Sequence, residues 1–209
     1  MAGRPVLHRQ VCLAFMEWHQ RLPLFFLRTP KKSARGIMYK FLFFCIAMNL
    51  RIIATGGTFD KHYDPISGQL VFEESFVPIA LARARITAQL SFVPLLALDS
   101  LDMDDNNRQQ ILSACIGASE DRIVIVHGTD TAQQTAAVLG NAALKKTIVL
   151  TGAMVPYEIA NSDAFFNLGF ALAAARLLPS GVYIAMNAEI FPWDEVRKNR
   201  AAGLFERTK

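Results

Sequence analysis

The chain predicts an α/β fold, a parallel sheet with helices on both faces. Three observations carry that prediction. From residue 50 onward, short apolar segments alternate with helical patterns of roughly 12–17 residues. The short segments are apolar throughout rather than every second residue, as strands covered on both faces must be. Each of them then gives way to a polar or glycine-containing stretch, which is where a strand leaves the core.

Taken in order, "LRIIA" (50–54) is the first strand and halts before Thr55-Gly56-Gly57-Thr58. "ESFVPIALARARITAQL" (74–90) predicts a helix with Pro78 near its start, and "FVPLLAL" (92–98) a strand. "DMDDNNRQQILSACIGA" (102–118) begins with acids and spaces Ile111, Leu112, Cys115 and Ile116 as a helix would, with Gly117 at its end. "RIVIVHG" (122–128) is a strand stopped by glycine. "TAQQTAAVLGNAAL" (131–144) opens on Thr131-x-x-Gln134, the pattern of a capping box, and is rich in alanine. "TIVLTG" (147–152) is a strand, "SDAFFNLGFALAAARLL" (162–178) a long helix behind Ser162, and "GVYIAMN" (181–187) another strong strand.

Composition fits one packed body. Of 209 residues, 52% are hydrophobic and 19% charged, which excludes a disordered chain. The net charge of +4 is unevenly spread. Residues 1–47 hold eight Lys/Arg against one acid, so residues 48–209 carry 22 − 8 = 14 basic and 18 − 1 = 17 acidic groups, a net of −3. The basic excess therefore gives no argument for nucleic-acid binding by the body, and no nucleic-acid or membrane partner is expected. Cys12, Cys45 and Cys115 are an odd set without CxxC spacing and fit a reducing, cytoplasmic compartment. Cys115 reads as a small buried hydrophobe. No Cys/His cluster has metal-ligand spacing, so neither a metal nor a cofactor is expected.

The organisation expected is a basic, apolar extension over 1–47 followed by a single α/β domain over 48–209. The start "MNLRIIATGG" at Met48 makes residues 1–47 an over-called start or a poorly ordered extension. "FLFFCIAM" (41–48) behind Lys40 leaves a signal or anchor open, although it is shorter than a membrane span and no A-x-A site follows.

In open parallel sheets the ligand site lies beyond the carboxyl ends of the strands. Those ends here carry Thr55-Gly56-Gly57-Thr58, Asp99-Ser100-Leu101, His127-Gly128-Thr129-Asp130-Thr131, Thr151-Gly152, and Asn187 with the charged tract "WDEVRKNR". Hydroxyls, a carboxylate and Lys198 converging on one edge are what a hydroxyl nucleophile requires: an attacking oxygen, a group to take its proton, and amides for an oxyanion. Each residue also has a plainer reading. TGGT alone could be a tight turn, and as a phosphate cradle it lacks both G-K-[ST] and G-x-G-x-x-G. His127 ends an apolar strand and reads as structural. Asp130 could cap the following helix, and Lys198 could belong to a solvated run from Asp194 to Arg200.

"ATGGT" (54–58), "HGTDT" (127–131), "TGAMVP" (151–156) and "NSDAFFNL" (161–168), in collinear order over about residues 50–200, resemble the bacterial-type L-asparaginases. The resemblance implies a Rossmann-like fold of the asparaginase N-terminal domain type. It implies hydrolysis of L-asparagine, more weakly L-glutamine, to the acid and ammonia through a threonine acyl-enzyme. Thr58 resembles the attacking threonine, and Tyr63 the loop tyrosine that hydrogen-bonds it. Thr129, Asp130 and Lys198 resemble the second hydroxyl–carboxylate–lysine group. Gly57, Ser100, Gly128, Thr129 and Asp130 resemble the substrate-binding residues. Leu101 departs from the pattern, where Gln or Glu is usual, and Tyr63 lies closer to Thr58 than in longer members. With Lys209 as its last residue, the chain looks like the short, single-domain form, a homo-oligomer whose Phe59–Glu74 loop or partner subunit closes the site. The alternatives are a glutamine-hydrolysing, ammonia-supplying subunit of an amidotransferase, a non-catalytic amino-acid-binding module, and a membrane-tethered role for residues 1–47.

Overall fold

The computed structural model describes residues 49–208. The expected extension over 1–47, with Cys12 and Cys45, lies outside them. The described residues form a six-stranded sheet in the order β4-β1-β5-β6-β7-β8. Its strands are β1 (Leu50–Gly56), β4 (Leu90–Leu98), β5 (Arg122–Val126), β6 (Thr147–Thr151), β7 (Gly181–Met186) and β8 (Glu189–Pro192). All neighbours run parallel except the β7–β8 hairpin. Two further hairpins join β2 (Lys61–Asp64) to β3 (Gln69–Phe72) and β9 (Val196–Asn199) to β10 (Leu204–Arg207).

Both faces are covered, as the apolar strands require. Ile53, Ile123, Ile125, Ile148, Leu150 and Ile184 face one core with Ile111 and Cys115 of α2 (Asp105–Gly117) and Ala136 and Leu139 of α3 (Ala132–Asn141). Their neighbours Ile52, Val124, Val126, Val149 and Ala185 face the other, with Val77 and Ala80 of α1 (Val77–Arg83) and Leu168, Ala171 and Ala175 of α4 (Ala164–Leu177). Burial pushes the Cys115 thiol up to about 12, so it packs as a small hydrophobe.

The strand order reverses at β1. The chain leaves β1 for β4 on one side, and from β4 crosses to β5 on the other. In register, Ala54 lies opposite Val126, and Val126 opposite Thr151. The loops that follow these strands thus emerge side by side at the topological switch point, where an open α/β sheet leaves a crevice.

Three local expectations are corrected. The helix expected over 74–90 is only Val77–Arg83. Arg85 takes φ 53°, its amide donates to Ala82 and that of Ile86 to Leu81, closing a Schellman end with arginine where glycine is usual. The capping box at Thr131 is absent: Thr131 Oγ1 donates instead to the Ser100 carbonyl at 2.7 Å, and Gln134 Oε1 accepts from Arg108 at 2.8 Å. Tertiary partners outcompete the local cap. A true capping box forms at α2, where Asp104 and Asn107 each accept the other's backbone amide. The tract Asp194–Arg200 is largely a strand, β9, and not simply a solvated charge run.

Candidate active site

The loops after β1 and β5 meet through two glycines. Gly57 has φ 73° and ψ −174°, and a Cβ on it would lie 2.3 Å from the Gly128 nitrogen. A Cβ on Gly128 would lie 2.6 Å from the Ser100 Oγ and Cβ. No other residue lets these three backbones approach so closely. Gly57, Gly128 and Ser100, each expected to line the substrate, therefore form one contiguous floor.

Thr58 begins a 3-10 turn, Thr58–Asp60, and is half-buried. Its hydroxyl makes no hydrogen bond among the described residues. The turn is held from its flanks: the Gly57 amide donates to Leu98 at 2.8 Å, and the Asp60 carboxylate accepts from Ser75 Oγ and the Phe76 amide, both at 3.0 Å. Burial raises the Asp60 carboxyl above its usual range against those hydrogen bonds.

Lys198 reaches this edge because β9 alternates. Val196 packs into the core beside Phe205 of β10, Arg197 points to solvent, and Lys198, two residues on, turns inward. Its Nζ donates to Thr129 Oγ1 at 2.7 Å and to Asp130 Oδ1 at 3.0 Å, and its side chain is only 9% exposed. Asp130 also meets the exposed Arg200, Nε to Oδ1 at 3.3 Å. With its oxygen accepting from lysine, the Thr129 hydroxyl faces the Met154 sulfur at 3.8 Å. Asp163 holds Met154 and Val155 by their amides, and Asn167 clasps Gly152, Asp163 and Asn187. The segments TGAMVP and NSDAFFNL thus form the wall behind Thr129.

Ser100 is 1% exposed and its Oγ has no hydrogen-bond partner among the described residues, a buried hydroxyl left open beside Gly128. Leu101, by contrast, is 61% exposed. His127 is structural, as expected. Its Nδ1 faces the Gly128 carbonyl at 2.8 Å and must carry the proton, so Nε2 accepts from Thr135 Oγ1 at 2.9 Å. Burial pushes its pKa down to about 4, which keeps it neutral. Tyr63 makes no hydrogen bond to Thr58. It stands on β2, 56% exposed, its amide bound by the Glu158 carboxylate and its hydroxyl without a partner among the described residues.

A nucleophile candidate and a hydroxyl–carboxylate–lysine group therefore stand on adjoining loops at one sheet edge, and residues 49–205 match the family model described as Asparaginase, N-terminal. The chain belongs to the asparaginase family. It is 32% identical over 162 residues to the L-asparaginase of Thermococcus kodakarensis, covering 75% of this chain and 49% of that protein. The solved structure of that thermostable L-asparaginase superposes with a TM-score of 0.69 over 77% of this chain and 51% of its own. L-asparaginase 2 of Escherichia coli is 31% identical over 163 residues, 72% of this chain and 46% of that protein. A glutamyl-tRNA(Gln) amidotransferase subunit of Aeropyrum pernix is 29% identical over 147 residues, 66% of this chain and 34% of that protein. The chain thus spans about half the length of the L-asparaginases it matches. Asparaginase-family membership agrees with the fold expected from the alternating apolar segments and glycine-stopped strands.

Proposed function

We propose that this protein hydrolyses the side-chain amide of L-asparagine to L-aspartate and ammonia, and turns over L-glutamine more slowly. The observation that carries the reading is the Lys198 ammonium bound to both Thr129 and Asp130, across the switch point from a free Thr58 hydroxyl. In this reading Thr58 Oγ attacks the amide carbon while its proton leaves toward the amide nitrogen. Collapse of the tetrahedral adduct expels ammonia and leaves an ester on Thr58. Water then attacks that ester and its proton passes by way of the Thr129 hydroxyl, held in place by the Lys198 ammonium, to the departing Thr58 oxygen; Thr58 is restored and the acid product ionises and departs. Amides of the Gly128–Thr129 turn receive the oxyanion. Ser100 and Asp130 hold the substrate's charged end, Asp130 through its ammonium group.

The reading extends to a cytoplasmic catalytic body starting near residue 48. Exposed Phe165, Phe166 and Leu177 on α4 support assembly as a homo-oligomer. Similarity to the Aeropyrum pernix amidotransferase protein supports the second reading, an ammonia-supplying subunit acting on glutamine. A coupled ammonia assay on the full chain with each amide separates the two. Asparagine turnover above glutamine turnover supports the first. Thr58→Ala should lower kcat by roughly three orders of magnitude or more. Wild-type ammonia release from Thr58→Ala would remove the proposed nucleophile.

A further inference from the structure

We propose that Lys61 and Asp99 form an ion-pair clamp that sets the position of the Thr58 turn relative to Ser100, and so act as positioning residues for the reaction. The inference rests on reading Thr58 as nucleophile and Ser100 as substrate contact. Lys61 directly follows the Thr58–Asp60 turn, and Asp99 directly precedes Ser100. Thirty-eight residues apart in the chain, they meet with Lys61 Nζ 2.5 Å from Asp99 Oδ2.

The pair is built into its surroundings from both sides. The other Asp99 oxygen accepts the Leu101 amide at 3.0 Å, so the carboxylate is fixed on its own loop before it receives the lysine. Lys61 lies opposite Phe72 in the β2–β3 hairpin, with Nζ 5.8 Å from that ring's centroid. The two side chains are 20% and 26% exposed, more sheltered than the surface pairs Arg197–Glu206 and Arg207–Glu195. Burial pushes the Asp99 carboxyl up, but the Leu101 amide and Lys61 outweigh it and bring it below the usual range; Lys198, across the site, adds to the lowering.

The clamp completes a bracket. Upstream of the turn, the Gly57 amide donates to the Leu98 carbonyl at 2.8 Å. Downstream, Lys61 holds Asp99. Two consecutive residues at the end of β4 thereby grip the two flanks of the turn, and Ser100 is the next residue. The downstream grip is made by side chains, so it can be removed by substitution without altering the backbone. A shift of about 1 Å between reacting groups costs on the order of 100-fold in rate.

The test is a double-mutant cycle on the full chain: Lys61→Met, Asp99→Asn and both together, with Lys61→Arg as the conservative variant and Thr58→Ala in parallel. Ammonia release from asparagine gives kcat and KM, and calorimetry gives L-aspartate affinity. Each single variant is expected to lose about 10- to 100-fold in kcat/KM while its Tm stays near wild type. The double variant should lose no more than the worse single, Lys61→Arg should stay close to wild type, and added salt should slow the wild type more than Lys61→Met. Multiplicative losses in the double variant, or wild-type kinetics in both singles, overturn the clamp while an inactive Thr58→Ala leaves the nucleophile reading standing. An active Thr58→Ala overturns that reading and the clamp with it. A wild type that neither releases ammonia nor binds aspartate overturns both.

Discussion

Two regions at the same sheet edge are held in different ways. Around Thr129 the polar side chains hold one another: Lys198 joins Thr129 to Asp130, Asp130 also takes Arg200, and the wall behind is knit by Asp163 and Asn167. Around Thr58 the hydroxyl of that residue is bound by nothing among the described residues, and the order comes from Gly57, Asp60 and Lys61 on either side of it. The difference suits the two tasks in the proposed reaction. A proton-handling group gains from a fixed partner geometry that needs no reorganisation. A nucleophile gains from a backbone that is fixed and a hydroxyl still free to turn toward its target.

Substitutions can break this contrast from either side. The largest effect is expected from Lys198→Met, which removes the hub of the Thr129 region. Asparagine turnover should fall by roughly 10³-fold or more. The fold should survive, because Asp130 is partly exposed and keeps Arg200. Steady-state kinetics with circular dichroism checks both halves, and an active Lys198→Met would end the idea that this region handles protons. Next comes Gly57→Ala, which attacks the backbone order of the Thr58 region. The new Cβ would press on Gly128 at 2.3 Å from a residue with φ 73°. A loss of about 1–3 kcal/mol in urea unfolding and on the order of 100-fold in kcat/KM is expected. Normal stability and rate would mean that the two loops are not rigidly joined.

The smallest effect at neutral pH comes through His127, which stiffens the Thr129 side and whose contribution changes only in acid. Its folded pKa of about 4 lies below the ordinary 6.5. The folded state therefore binds this proton less readily than the unfolded state. Stability is complete above pH 6.5 and falls as pH drops toward 4, by roughly 3 kcal/mol in the limit. Urea melts of wild type and His127→Gln across that window should differ in slope, with the variant flatter. Equal slopes would mean the imidazole already carries a proton in the native state.

Much of this is legible in the sequence because it follows from local pattern. The apolar strands, the four helices and the polar residues at the carboxyl ends all show in periodicity and in where glycine falls. What escapes depends on partners far along the chain or on residues doing an uncharacteristic job. Arg85 ends α1 in a left-handed conformation without glycine's signature, and Asn187-Ala188 turns β7 into β8 with both φ positive. Thr131 matches a capping box but finds Ser100 instead. In the site, Thr58, Ser100, Thr129 and Asp130 follow from the rule about strand ends. Lys198 follows from the same rule as part of the tract after β7, and the alternation Val196-Arg197-Lys198 carries a further signal for an inward-facing lysine. Tyr63 stands out by resemblance alone, yet it faces solvent. The Lys61–Asp99 contact has no local signal at all.

The hairpin that delivers Lys198 has a consequence for how the protein fails. β9 and β10 pair only with each other among the described strands, outside the six-stranded sheet, and Val196 and Phe205 are their buried apolar anchors. Elements with few buried contacts open at lower free energy than a central sheet. On warming, the lysine would leave Thr129 while β1, β5 and β6 were still intact, so loss of activity would precede loss of the fold and would reverse on cooling.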